Sequence, residues 1–129
     1  MSDSISDLLT SIKNAQAVSK ETVVIPFSNL CYSISQVLEK EGLVSKIEKK
    51  GKKTKKVIEI TLRYEEKTPV ISGIERISRP GQRIYIKNKE IRPIRGGYGL
   101  AIISTSKGLL TNKEAKKQKL GGELICEIW

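Results

Sequence analysis

A chain of 129 residues with 38% apolar content can hold one ordinary domain or two very small ones sharing an interface. It has no histidine and only two cysteines, Cys31 and Cys126, which leaves no ligands for an ordinary zinc site, no base for a His-based triad and no disulfide framework; both cysteines read as small core or near-surface residues of a reducing compartment. No run approaches the roughly 20 apolar residues of a membrane span, the first residues are acidic and amphipathic rather than leader-like, and a net charge of +10 points to polyanions, nucleic acid ahead of an anionic membrane surface.

From Ser4, the residues Ile5, Leu8, Leu9 and Ile12 recur at helical spacing, and Ser4 with Asp7 reads as a capping-box start. "TVVIP" is β-branched, ends on a proline and predicts a short strand. Ser28 is placed to cap a second helix with the face Leu30, Ile34, Val37 and Leu38, which Gly42 stops. "LVSKIEKK" and "KVIEITLRY" follow as strands, so residues 1–64 are expected to form an N-terminal α-β-α-β-β domain. The lysine-dense tip between them, "KKGKKTKK", has two open readings. It is either a solvated loop guarding a sheet edge or a flexible arm that draws phosphates without choosing sequence.

"YEEKTPVISG" breaks the pattern with charges, a proline and a glycine, so residues 65–73 are expected to be a linker and 74–129 a C-terminal domain packed on the first across an apolar interface. "IERIS" and "QRIYIK" read as strands around "RPG", where Pro80 and Gly81 suit a type II turn. "NKEIRPIRGGYG" is a loop with room for a helical turn, and Leu100 to Ile103 form a wholly apolar strand. Thr111 and Glu114 make a capping box for the short basic helix "NKEAKKQK", which Gly121 can close, and "ELICEIW" is the last strand. The fold class is α/β in the α+β sense: two small domains, the second mostly β with a short helix.

"GLAIISTSKGLL" places three hydroxyls and a lysine between apolar runs. Ser104 and Lys107 match the S-x-x-K spacing of penicillin-binding enzymes, but that chemistry needs a helix start, and neither S-D-N nor K-T-G is present. "GGYGLAI" precedes a strand instead of following one, which counts against a dinucleotide fingerprint, and there is no P-loop. The cluster makes better sense as a recognition loop. Hydroxyls donate and accept, so they suit base edges, ribose and phosphate; Lys107 adds a charge, and Gly108 lets backbone come close to a ligand. Tyr85 and Tyr98 are available for stacking, although each alone is more ordinarily a half-buried core residue. The inventory fits RNA.

"GYGLAIISTSKGLLTNKEAKK" followed by "GGELICEIW" resembles the C-terminal signature of the bacterial-type eighth protein of the small ribosomal subunit. "ISDLLTSIKNA", "EGLV" and "RISRPGQRIY" fall where that family has similar segments, so the resemblance covers nearly the whole chain. It implies a two-domain structural protein, not an enzyme and without cofactor or metal. It also implies that the protein binds the central domain of small-subunit ribosomal RNA early in assembly, with the hydroxyl loop in the minor groove of an irregular helix. The implied contacts are Ser104, Thr105, Ser106, Lys107 and Gly108, supported by Tyr85, Gly121, Gly122 and Glu123. For Glu123 two functional roles are open, accepting from a base amino group or orienting the hydroxyl loop, beside the plain one of an exposed strand-start glutamate. Where the family often has a basic residue, this chain has Asn29, which leaves an RNA contact through Ser28 and Asn29 open, with Ser28 simply a helix cap as the alternative. The implied partners are small-subunit RNA and neighbouring small-subunit proteins, with no membrane or small-molecule substrate, the protein being a monomer within the ribosome. The competing reading is a general basic nucleic-acid-binding module. Eighteen lysines against six arginines, a composition suited to an AT-rich genome, and a terminal tryptophan like that of plastid and cyanobacterial members favour a plastid ribosome over a bacterial cytoplasm. With no transit peptide in view, such a protein would be encoded within the organelle.

Overall fold

Helical spacing puts Ile5, Leu8, Leu9 and Ile12 on one stripe, and in the computed structural model, which describes residues 3–129, that stripe is buried on α1 (Ser4–Ala17). Asp3, not Ser4, is the N-cap. Its Oδ1 accepts from the backbone N–H of Ile5 at 3.2 Å and Ser6 at 3.3 Å, so a carboxylate one residue earlier satisfies free helix N–H groups and Ser4 is already helical. After β1 (Thr22–Pro26) comes α2 (Asn29–Lys40), capped as expected by Ser28, whose Oγ accepts from Cys31 N–H at 3.1 Å. Its buried residues are Cys31, Ile34, Ser35 and Leu38; Leu30 is exposed because the inward stripe starts one residue later. The buried Ser35 hydroxyl donates to the Cys31 carbonyl at 2.8 Å, which satisfies it inside the core.

β2 (Val44–Lys50) and β3 (Val57–Leu62) complete an antiparallel sheet in the order β1-β3-β2, with β3 central and burying Ile58, Ile60 and Leu62. The helices touch each other, α1 meets β1 and α2 meets β2. The stretch read as a linker carries a hairpin of β4 (Tyr64–Glu65) and β5 (Thr68–Pro69). Its turn residues Glu66 and Lys67 have φ of 51° and 69°, the left-handed pair that matches strand twist. This first compact unit runs to Ile71, and the second is Ser72–Trp129.

The second unit contains β6 (Ile74–Arg76), β7 (Tyr85–Ile86), single turns at Asn88–Glu90 and Arg95–Gly97, β8 (Leu100–Thr105), β9 (Gly108–Thr111), α3 (Asn112–Lys117) and β10 (Gly122–Ile128). The sheet order is β6-β10-β8-β9, and β7 also pairs with β10, so the final strand holds three others. One face carries a core of Ile91, Ala101, Ile103 and Ala115, the last from α3, with Leu110 and Leu124 packed against it. Arg79 and Gln82 exchange both backbone hydrogen bonds around Pro80 and Gly81, yet Gly81 lies outside the left-handed region, so the turn is not type II. The Thr111–Glu114 capping box forms as read, but Lys119, at φ 59°, closes α3 in place of Gly121. Each of α1, α2 and α3 ends on one left-handed residue, Ser19, Gly42 and Lys119, followed by a backbone bond back to Ala15, Leu38 and Ala115 respectively.

Candidate nucleic-acid interface

The polar run that reads as a loop is half strand. β8 continues through Ser104 and Thr105, only Ser106 and Lys107 turn, and Gly108 already pairs with Thr105. Gly108 has φ 97°, while Ser106 and Lys107 are not left-handed, so the connection is a type I turn closed by a left-handed glycine. Glycine is thus required there by the backbone; an added Cβ would meet nothing within 4 Å, so close packing is not the reason. The Thr105 hydroxyl builds this turn, accepting from Lys107 N–H at 3.1 Å and donating to the Gly108 carbonyl at 2.8 Å. The hydroxyls of Ser104 and Ser106 have no hydrogen-bond partner among the described residues.

Across the sheet, Ser104 lies opposite Glu123, and Glu123 opposite Tyr85. Directly opposed residues of antiparallel strands share a face, so the three form one row on the face away from α3. Tyr85 is 71% exposed and Tyr98 94%, which overturns the half-buried reading of both. β10 can run this close because its first residues lack side chains. A Cβ on Gly122 would stand 2.0 Å from the Ser104 carbonyl oxygen, and one on Gly121 2.5 Å from that of Ile86. A bulge at Ile125 then resets the alternation: in an unbulged strand of this sequence Glu123 would face away from the buried Cys126 and Ile128, whereas here the three share a face.

Glu123 is not an exposed strand-start glutamate. Its side chain is 16% accessible, and its Oε2 accepts from Ser78 Oγ at 2.6 Å and from Arg83 Nη1 at 3.0 Å. Ser78 Oγ in turn accepts from Ile84 N–H at 3.0 Å, and the Ser78 carbonyl accepts from Arg76 Nε. Burial pushes the Glu123 carboxyl up, but the hydrogen bonds from Ser78 and Arg83, with the charges of Arg83 and Arg76, outweigh it and hold the group below its ordinary value. The carboxylate therefore ties the segment from Ser78 to Tyr85 onto β10. Sequence reasoning missed Ser78; the available signal was its place two residues beyond Arg76 and four beyond Ile74, an inward position on a period of two.

Ser104 and Lys107 sit on a strand and a turn, not on one helical face, which removes the S-x-x-K geometry. Ser28 and Asn29 belong to the first unit, where Ser28 spends its hydroxyl on the cap and Asn29 is exposed. Among the described residues no cluster of His, Cys, Asp and Glu could hold a metal, and no helix is long and apolar enough to cross a membrane.

The family model of ribosomal protein S8 matches residues 3–129. The small ribosomal subunit protein uS8 of Caldanaerobacter subterraneus subsp. tengcongensis is 48% identical to this chain over 130 residues, 100% of the chain and 98% of its own length. The protein of the same name from Crocosphaera subtropica is 44% identical over 129 residues, covering 98% of the chain and 97% of its own length.

Proposed function

The chain belongs to the ribosomal protein S8 family and is a structural, non-enzymatic constituent of the small ribosomal subunit, and from that premise we propose that the β8–β9 hairpin is where it reads RNA. Its partners are small-subunit ribosomal RNA and neighbouring ribosomal proteins. The reading rests on one observation: Ser104, whose hydroxyl has no partner, lies in one row with Glu123 and the exposed Tyr85, and the unpartnered Ser106 hydroxyl stands in the turn that follows the same strand. Uncharged donors and acceptors on a rigid hairpin suit the shallow minor groove of an irregular RNA helix, with its 2′-hydroxyls and base edges, and an exposed ring suits an unstacked base.

In this assignment Ser104 and Ser106 contact RNA, Thr105 and Gly108 shape the turn, Lys107 supplies a phosphate contact, Gly122 lets β10 approach Ser104 and Gly121 lets the chain approach Ile86. The C-terminal domain, 74–129, carries this primary contact with the central domain of the RNA during assembly, and the N-terminal domain, 1–64, adds Asn29 beside the capped start of α2. The plastid ribosome is the compartment we favour, on the lysine-rich composition.

The test is binding to native and scrambled central-domain RNA at two salt concentrations. Wild-type protein should prefer the native RNA at physiological salt, and Ser106→Ala should reduce that preference without changing the salt slope. Equal affinity of the wild-type chain for both RNAs would sink the proposal and favour a general basic module.

A further inference from the structure

The row of Tyr85, Glu123 and Ser104 joins side chains of unequal hydrogen-bonding capacity. The serine and tyrosine hydroxyls both donate and accept, so neither rejects a base edge, whereas an ionised carboxylate accepts only. Glu123 also divides its two oxygens. Oε2 takes both protein donors, Ser78 Oγ at 2.6 Å and Arg83 Nη1 at 3.0 Å, and Oε1 accepts no hydrogen bond among the described residues. Oε1 is open to solvent rather than enclosed. Burial alone would favour the neutral acid, but Ser78, Arg83 and Arg76 keep the group charged.

An oxygen that can only accept needs a donor, and the described residues hold no metal-binding cluster that would supply a cation instead. In the minor groove an A·U pair offers only acceptors, adenine N3 and uracil O2, which would face the carboxylate with lone pairs. A G·C pair adds one donor, the guanine 2-amino group. Ribose 2′-hydroxyls are the other donors there, but they line every position of the strand and give no choice of sequence. We propose that Glu123 Oε1 accepts from the 2-amino group of a guanine, which makes the row selective for a G·C pair where the RNA comes closest. Tyr85 on β7 and Ser104 on β8 flank the carboxylate, and the half-exposed Arg83 offsets its charge against the phosphates. The inference rests on the β8–β9 hairpin being the RNA contact and names the base which that contact selects.

The experiment replaces each guanosine of the native central-domain helix in turn by inosine, which still pairs with cytidine and lacks only the 2-amino group, and measures binding of the full wild-type chain at physiological salt. Inosine at one position should weaken binding about 10- to 100-fold, the range for a lost hydrogen bond to a charged group, and 2′-deoxyguanosine at that position should not. Glu123→Gln should keep its amide oxygen on Ser78 and Arg83 and turn its NH2 outward, so it should bind the inosine RNA at least as well as the guanosine RNA. Ultraviolet melting checks each RNA and circular dichroism the variant; the scan with wild-type protein carries the test should Glu123→Gln fail to fold. A native preference that survives inosine at every guanosine would overturn the proposal and leave the hairpin reading standing, whereas equal affinity for native and scrambled RNA would remove both. A larger loss from 2′-deoxyguanosine than from inosine would assign the oxygen to a ribose and overturn the proposal too. So would a folded Glu123→Gln that loses as much on inosine as the wild type.

Discussion

Replacing Ser78 by alanine removes one oxygen atom and two hydrogen bonds from a wholly buried site. The bond to Glu123 is charge-assisted, which makes it worth about 1.5–3 kcal/mol, and Ile84 N–H loses its acceptor, so the loss should total about 3 kcal/mol. At a urea dependence of about 2 kcal/mol per molar, the midpoint should fall by about 1.5 M, followed by circular dichroism. The pH dependence is the sharper check. Because the folded-state carboxyl of Glu123 lies below its ordinary 4.5, its stabilisation is fully present above that value and is lost as pH falls through the lower folded one. The gap between wild type and Ser78→Ala should therefore be widest near neutrality and shrink on acidification. A gap that stays constant all the way from neutrality to acid unfolding would refute the assignment of the ionised carboxylate as Ser78's partner.

Thr105→Ala removes the turn's side-chain bonds and should cost about 1 kcal/mol of stability as well as RNA affinity, whereas Ser106→Ala should cost affinity alone; thermal melts beside binding curves separate the two. Gly122→Ala drives a Cβ to within 2.0 Å of a backbone carbonyl that cannot move without β8, so the second unit should lose its sheet signal and its RNA preference together. Burial pushes the Cys126 thiol up to about 12, so at pH 8 iodoacetamide should leave it unmodified in the native chain and label it in urea, as mass spectrometry would read.

Elements with a period were legible in the sequence. The buried stripe of α1, the alternation of β3 and the capping box of Thr111 and Glu114 all announce themselves within a few residues, because their causes are local. The errors fall where a neighbour one residue away competes: Asp3 over Ser4 as cap, Cys31 over Leu30 as the start of the stripe, Lys119 over Gly121 as helix stop. Within the candidate site, the glycines and hydroxyls were visible as composition, but their division of labour was not. Thr105 spends its hydroxyl on the turn because of the angle at Gly108, and Glu123 is engaged by a serine 45 positions away, which no local pattern records. Lys49 is the converse case. Its register, opposite the buried Ile58, can be counted from the strand, but the Phe27 and Tyr32 rings that receive its ammonium come from the segment leading into α2 and from α2 itself.

β10 is the last strand of the chain and the one to which β6, β7 and β8 all bond. During synthesis the second unit therefore has no scaffold for its sheet until β10 emerges, while the first unit already has every strand it needs. A polypeptide stopped before Ile128 would lose that residue's pairing with Ile74 and Leu100, and one stopped before Gly122 would have no surface on which to align Tyr85 with Ser104. The recognition surface thus depends on synthesis having passed through β10, and products that stop short of it would be left out of assembly without a separate inspection step.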